Sequence, residues 1–240
     1  MTASDWVLIF TSLFLGTTAL FVPLLAELVK RNVFAPKLHI SFELAPPYCI
    51  RTYWRAINNP DFRELVYYFR FQVRNNGLSQ ARLCEAVLEE LWIYDASGNP
   101  SKLSNFTSVN LRWAGENPQL MDNPQYINVN PQRRVYCDIG HLSSLAHQQR
   151  EERKIFIDMP GRNGESLRFL LDQLQYPYSQ PNCFAPGRYG IKVSIYSENA
   201  ARQEARFTIT WSGKWQETEP EMFRELVIQG VDRFQSVKGT

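Results

Sequence analysis

From Val7 to Ala26 the chain reads VLIFTSLFLGTTALFVPLLA, twenty residues without a charge. Coiled as an α-helix they rise about 30 Å, the thickness of a bilayer's hydrocarbon core. A helix packed in a globular core needs one apolar stripe, whereas this segment is apolar on every side. A cleavable signal peptide carries positive charge ahead of its apolar run and a small-x-small site behind it. Met1 to Asp5 contain neither Lys nor Arg, and Ala26-Glu27-Leu28 makes a poor cleavage site. The expectation is a single-pass transmembrane anchor over residues 1–31, with residues 7–28 in the lipid bilayer and Trp6 at one interface.

The flanks predict an orientation. Lys30, Arg31 and Lys37 all follow the span, and only Asp5 and the terminal amine precede it. The positive-inside rule then places the soluble part in the cytoplasm, at the inner face of a cell membrane. In that compartment Cys49, Cys84, Cys137 and Cys183 stay reduced, and the sequon Asn105-Phe106-Thr107 is not used. Within the span, Ser12 and Gly16 form a small-xxx-small pair, a candidate helix-association face.

After a short linker at residues 32–36 the period of the sequence changes to two. Leu38, Ile40, Phe42 and Leu44 alternate with polar residues, as do Phe69, Phe71 and Val73. The pattern returns at Val109-Leu111-Trp113, Val135-Cys137-Ile139, Ile155-Ile157-Met159, Ile191-Val193-Ile195 and Phe207-Ile209-Trp211. Turn residues separate these runs, among them Asn75-Asn76-Gly77, Ser97-Gly98-Asn99-Pro100 and Pro186-Gly187. Short alternating strands without regular helices between them predict a mainly β fold, an antiparallel sandwich over residues 37–215. Ala86 to Tyr94 leans toward a strand, Leu167 to Leu174 toward a short helix, and Ala114 to Gln132 reads as a long surface loop. Residues 216–240 are expected to form a C-terminal amphipathic helix and tail. Pro220 suits a first turn, and Phe223, Leu226, Val227, Val231 and Phe234 make one stripe.

The run Phe71-Gln72-Val73-Arg74-Asn75-Asn76-Gly77, with Ala81 four residues on, resembles the V-x-N-x-G-x-x-x-A signature of prokaryotic immunoglobulin-like modules of the CARDB type. Ala185-Pro186-Gly187-Arg188-Tyr189-Gly190-Ile191-Lys192-Val193 is similar to the P-G-x-Y-x-x-x-V run of many such sandwiches. The resemblance implies that Asn75 and Gly77 shape a turn between two strands. It also implies that Tyr189 acts as a corner tyrosine whose hydroxyl bonds backbone. The chain departs from the pattern in its length, with the excess between Ala96 and Asn182, and in lacking the Cys-Trp-Cys spacing of antibody domains. A shared fold does not carry an adhesion role with it.

Chemistry is thinly signalled. No cysteine lies in a C-x-x-C pair, and His141 and His147 are spaced for no usual metal pair. No G-x-S-x-G elbow occurs, and the loop Pro160 to Glu165 lacks the Lys of a phosphate-binding loop. Glu89-Glu90, adjacent on a strand, are expected to point to opposite faces. No cofactor is expected, and a net charge of +2 gives no reason to expect nucleic acid. The expected role is therefore a non-enzymatic interaction or ligand-binding module at the inner membrane surface. Trp113, Tyr126, Arg133 and Arg134 are its candidate contacts with a protein partner. Two alternatives stand beside it, an oligomerising membrane effector or sensor and an outward-facing envelope adhesion module.

Overall fold

The computed structural model describes residues 2–56, 59–115, 125–150, 157–160, 167–175 and 180–235. Helix α1 spans Ala3–Val33 with Pro23 inside it, and none of the stretch Phe10–Glu27 is buried. It is long and apolar enough to cross a membrane. Thr17 and Thr18 donate their hydroxyls to the carbonyl of Phe14, at 2.9 and 3.0 Å. Their polar groups are thus satisfied within the helix.

The rest is mainly β and consists of two antiparallel sheets packed as a sandwich. One sheet holds β1 (Leu38–Ser41), β2 (Cys49–Ala56), β3 (Asn59–Asn75), β8 (Arg134–Ser143), β9 (Phe169–Leu171) and β10 (Cys183–Phe184). The long β3 carries β1 and β2 in succession along one edge and β8 along the other. The second sheet is ordered β13 (Leu226–Val231), β12 (Gln203–Trp211), β11 (Gly187–Tyr196), β4 (Ala81–Tyr94), β5 (Pro100–Lys102). Two short strands, β6 (Val109–Asn110) and β7 (Ile127–Val129), also pair with β4.

Alternation explains the core. Tyr67, Phe69, Phe71 and Val73 of β3 face inward against Tyr189, Ile191, Val193 and Ile195 of β11 and Phe207 and Ile209 of β12. Aromatic pairs join the sheets: Phe71 stacks on Phe207 at 6.1 Å between centroids, and Phe184 on Tyr189 at 4.4 Å. Each such buried ring contributes on the order of 2–3 kcal/mol. The hydroxyl of Tyr189 donates to the carbonyl of Ala185 at 2.8 Å, the backbone bond expected of a corner tyrosine.

Residues 109–113 connect the two layers. Val109 and Asn110 pair with β4, Leu111 bridges Gln173, and Trp113 bridges Cys137 of β8. The N–H of Leu111 still donates to Ala86 of the second sheet while the N–H of Ala114 already donates to Tyr136 of the first.

Several local expectations are corrected. A short helix, α2 (Leu145–Arg150), follows β8, and the C-terminal helix, α3, covers Glu219–Glu225 and then stops; Leu226–Val231 is strand β13. Leu226 and Ile228 are buried alternately along the free edge of β12, and ladder pairing there outweighs a helical stripe that contains the poor helix former Gly230. Leu167 to Leu174 is likewise extended, with β9 buried at all of its residues. Part of the expected loop Ala114 to Gln132 is strand β7, and residues 116–124 lie outside the described residues. Glu89 and Glu90 share the outer face. A β-bulge sets Lys192 opposite Glu90 and Val193 opposite Leu88, so the extra residue breaks the alternation. Of the expected strand Ile155-Ile157-Met159, residues 155 and 156 are outside the described residues, and Asp158 makes one bridge to Cys183.

Candidate functional site at the end next to helix α1

The end of the sandwich that receives the chain from α1 is organised by one buried side chain, Asn75. Its Oδ1 accepts from the N–H of Gly77 at 2.9 Å and from the N–H of Lys37 at 3.1 Å. Its Nδ2 donates to the carbonyls of Ser79 (2.7 Å) and Val129 (2.9 Å). The backbone of Asn75 bonds Gln132 and Arg133, and the N–H of Asn76 donates to Lys37. The side chain and backbone of Asn75 together therefore tie the segment after α1, their own turn, β7 and the start of β8. Only Asn can do this, because the site demands two acceptances and two donations from one short side chain.

Gly77 completes the junction. A Cβ placed there would sit 2.3 Å from the carbonyl oxygen of Ala35 and 2.6 Å from the Cα of Pro36. The linker between α1 and β1 is thus packed against the turn, with Pro36 buried.

Around this junction lie the sequence-predicted contacts. Arg133 and Arg134 are exposed at the start of β8, and Tyr126 is half-buried before β7. Trp113 is separated from them: it is 1 % exposed in the core, its indole N–H reaching the carbonyl of Gln125 at 3.3 Å. It therefore braces the segment that leads to Tyr126. Ser12 is exposed on α1, one helical turn from Gly16. Two residues that the sequence reading did not single out belong to the same end. Leu78 and Leu83 are 59 % and 52 % exposed. Leu83 also has φ of 47°, held by a bond from its N–H to Asn128 Oδ1 at 3.0 Å. A left-handed backbone costs a residue with a Cβ about 1–2 kcal/mol.

A second polar cluster occupies the outer face of the first sheet. Arg70 Nε stands 3.5 Å from Asp138 Oδ1, and His141 Nδ1 lies 2.8 Å from Asp172 Oδ1. Tyr68 packs beside His141 with ring centroids 5.5 Å apart. Asp138 is 6 % exposed, and burial, reinforced by the neighbouring Asp172, pushes its carboxyl up to about 7 against the pull of Arg70, His141 and Arg112. Its Oδ1, the Oδ2 of Asp172 and the Nε atoms of Arg70 and Arg112 are buried without a hydrogen-bond partner. A His–Asp pair can orient an imidazole for base catalysis, and covalent catalysis would need a nucleophile in reach of it as well. The nearest cysteine in sequence, Cys137, faces the core, and burial pushes its thiol well up. His147 is elsewhere, its ring 5.1 Å from that of Trp54. Among the described residues no three His, Cys, Asp or Glu side chains group to hold a metal ion.

No protein-family model, no curated protein and no solved structure matches this chain.

Proposed function

We propose that this protein is a membrane-tethered, non-enzymatic interaction module, held at the inner face of the membrane by α1 and presenting the anchor-proximal end of its sandwich as the contact surface. The observation that carries the reading is the Asn75 junction. A flexible tether needs no such device, whereas here the first ordered residues after the helix are bonded directly into the end that bears Arg133 and Arg134. The cytoplasmic orientation draws support from the cysteines. Cys49, Cys84, Cys137 and Cys183 are all free and buried, a pattern suited to a reducing compartment and one that an envelope adhesion module of this size rarely shows. The Asn75 turn and the Tyr189 corner bond support an immunoglobulin-like module of the CARDB type as the origin of the sandwich.

The test combines extraction and labelling. Ser97→Cys places a thiol in the exposed turn after β4. Retention in membranes through an alkaline carbonate wash, with labelling by an impermeant maleimide only after cell lysis, supports the proposal. Release by carbonate overturns the anchor, and labelling of intact cells overturns the sidedness.

A further inference from the structure

We infer that the anchor-proximal end is itself a lipid-binding surface, recognising anionic headgroups through Lys37, Arg74, Arg133 and Arg134 and inserting Leu78 and Leu83 beside them. The inference rests on the reading of α1 as a membrane span and names the partner of that same end.

Reach comes first. From Val33, the last residue of α1, to Lys37 is four residues, which extend over at most about 14 Å. The headgroup layer on each side of the hydrocarbon is itself about 5–8 Å deep. With the span ending near residue 28, the last five residues of α1 carry the chain about 8 Å further, across the headgroup layer, and the linker then holds this end of the sandwich within about 14 Å of it.

Charge comes second. Several other cations of the sandwich are neutralised: Lys192 is 3.1 Å from Glu89, Arg202 is 2.7 Å from the same carboxylate, and Arg82, at this end, pairs with Glu198 at 3.4 Å. Lys37, Arg74, Arg133 and Arg134 make no ion pair among the described residues; Arg74 donates instead to the neutral amide of Gln132. Moreover, Arg74 and Arg134 are directly opposed in the β3–β8 ladder, with His39 opposite Arg74 on its other side. Like charges in that position destabilise a ladder. Headgroup phosphates above the row would turn that cost into a binding site. Each cation near an anionic bilayer strengthens attachment about fivefold.

Apolar exposure comes third. Leu78 follows Gly77 directly, and Leu83 follows Arg82, so both project at the end where Lys37 enters. Leu83 is displayed by a backbone conformation that a leucine does not otherwise favour. Apolar side chains ringed by cations are the composition of a surface that enters the headgroup boundary.

The experiment uses the full chain in proteoliposomes. Leu78→Cys, labelled with a polarity-sensitive maleimide fluorophore, reports the environment at this end; the native thiols are buried and do not compete. Vesicles are phosphatidylcholine alone, or phosphatidylcholine with phosphatidylglycerol. The expected result is a blue-shifted emission in the mixed vesicles relative to phosphatidylcholine alone. The shift is lost at high salt and in the double variant Arg133→Glu, Arg134→Glu, and is kept in Lys214→Glu, an exposed lysine at the opposite end. A label that reports water in both lipids, or equally apolar surroundings in both, overturns the inference while carbonate-resistant retention leaves the anchor standing. A shift produced by soluble polyglutamate and not by phosphatidylglycerol assigns the surface to an acidic protein and overturns it as well. Release of the chain by carbonate is the separate failure, that of the anchor.

Discussion

The side-chain oxygen of Asn75 accepts the backbone N–H of Lys37 at 3.1 Å, joining the end of β3 to the segment that follows α1. That bond is one of four made by a fully buried amide. Replacing Asn75 by Ala strands two N–H donors and two carbonyls, and buried groups left unpaired cost about 1–3 kcal/mol each. Asn75→Ala is therefore expected to lose on the order of 3 kcal/mol or more of stability in chemical denaturation. Asn75→Asp should also be destabilised, because a carboxylate would face the carbonyls of Ser79 and Val129.

Gly77 needs no positive φ; it needs the absence of a Cβ. Gly77→Ala brings a methyl against Ala35 and Pro36, and the backbone on both sides must shift. Overpacking of this kind costs about 1–3 kcal/mol. A Gly77→Ala protein as stable as the parent in a denaturant titration would show that the linker is not packed as described.

Leu83 trades stability for display. Leu83→Asn places a residue tolerant of the left-handed region at φ of 47°. Its expected effect is a gain of about 1 kcal/mol in unfolding free energy. The same substitution should weaken the lipid-dependent shift at position 78.

Asp138 makes stability depend on pH. Its folded carboxyl is raised to about 7, above the ordinary unfolded value of about 3.9. Between those values the folded state holds a proton that the unfolded chain has released, so the contribution of Asp138 to stability is largest in acid and is lost as pH rises through 7. Unfolding midpoints measured from pH 5 to 8 should decline, and Asp138→Asn should flatten the decline.

The thiols supply a folding probe. Burial pushes Cys49 up to about 12 and raises Cys84 and Cys183 as well. Thiolate is the reactive form. At neutral pH a maleimide should modify the native protein only as fast as it unfolds, and four sites should become reactive together in denaturant. Fast reaction of any native thiol would contradict the burial.

The sequence revealed most where periodicity and burial coincide. In β1, the end of β3, β8, β11 and β12 the alternating apolar residues, such as Phe69, Phe71, Cys137, Ile139, Ile191, Val193, Phe207 and Ile209, are buried, so the period of two was visible in the sequence, although Asp138, Ser194 and Thr208 between them are buried as well. It failed at β9 and β13, where continuous apolar runs suit a helix or a strand equally and only the neighbouring edge decides. The hairpin of β2 with the first half of β3 was overlooked, its alternation masked by Arg, Glu and Asn. Asn75 and Gly77 were legible as a turn, since turn chemistry is local. Their bonds to Lys37 and Val129 were not, because those arise from contacts 38 and 54 residues away. Arg133 and Arg134 were singled out by residue type, and both are exposed beside the junction. Leu78 and Leu83 were missed, as nothing in an isolated leucine says that it will lie outside.

Residues 109–113 belong to the ladders of both sheets at once. A sandwich whose layers merely face one another can lose one layer while the other persists. Here, parting the layers means stripping hydrogen bonds from Ala86 and Tyr136 in the same event. The two halves are therefore expected to share one melting transition, with the strand edge on that flank kept covered until both come apart.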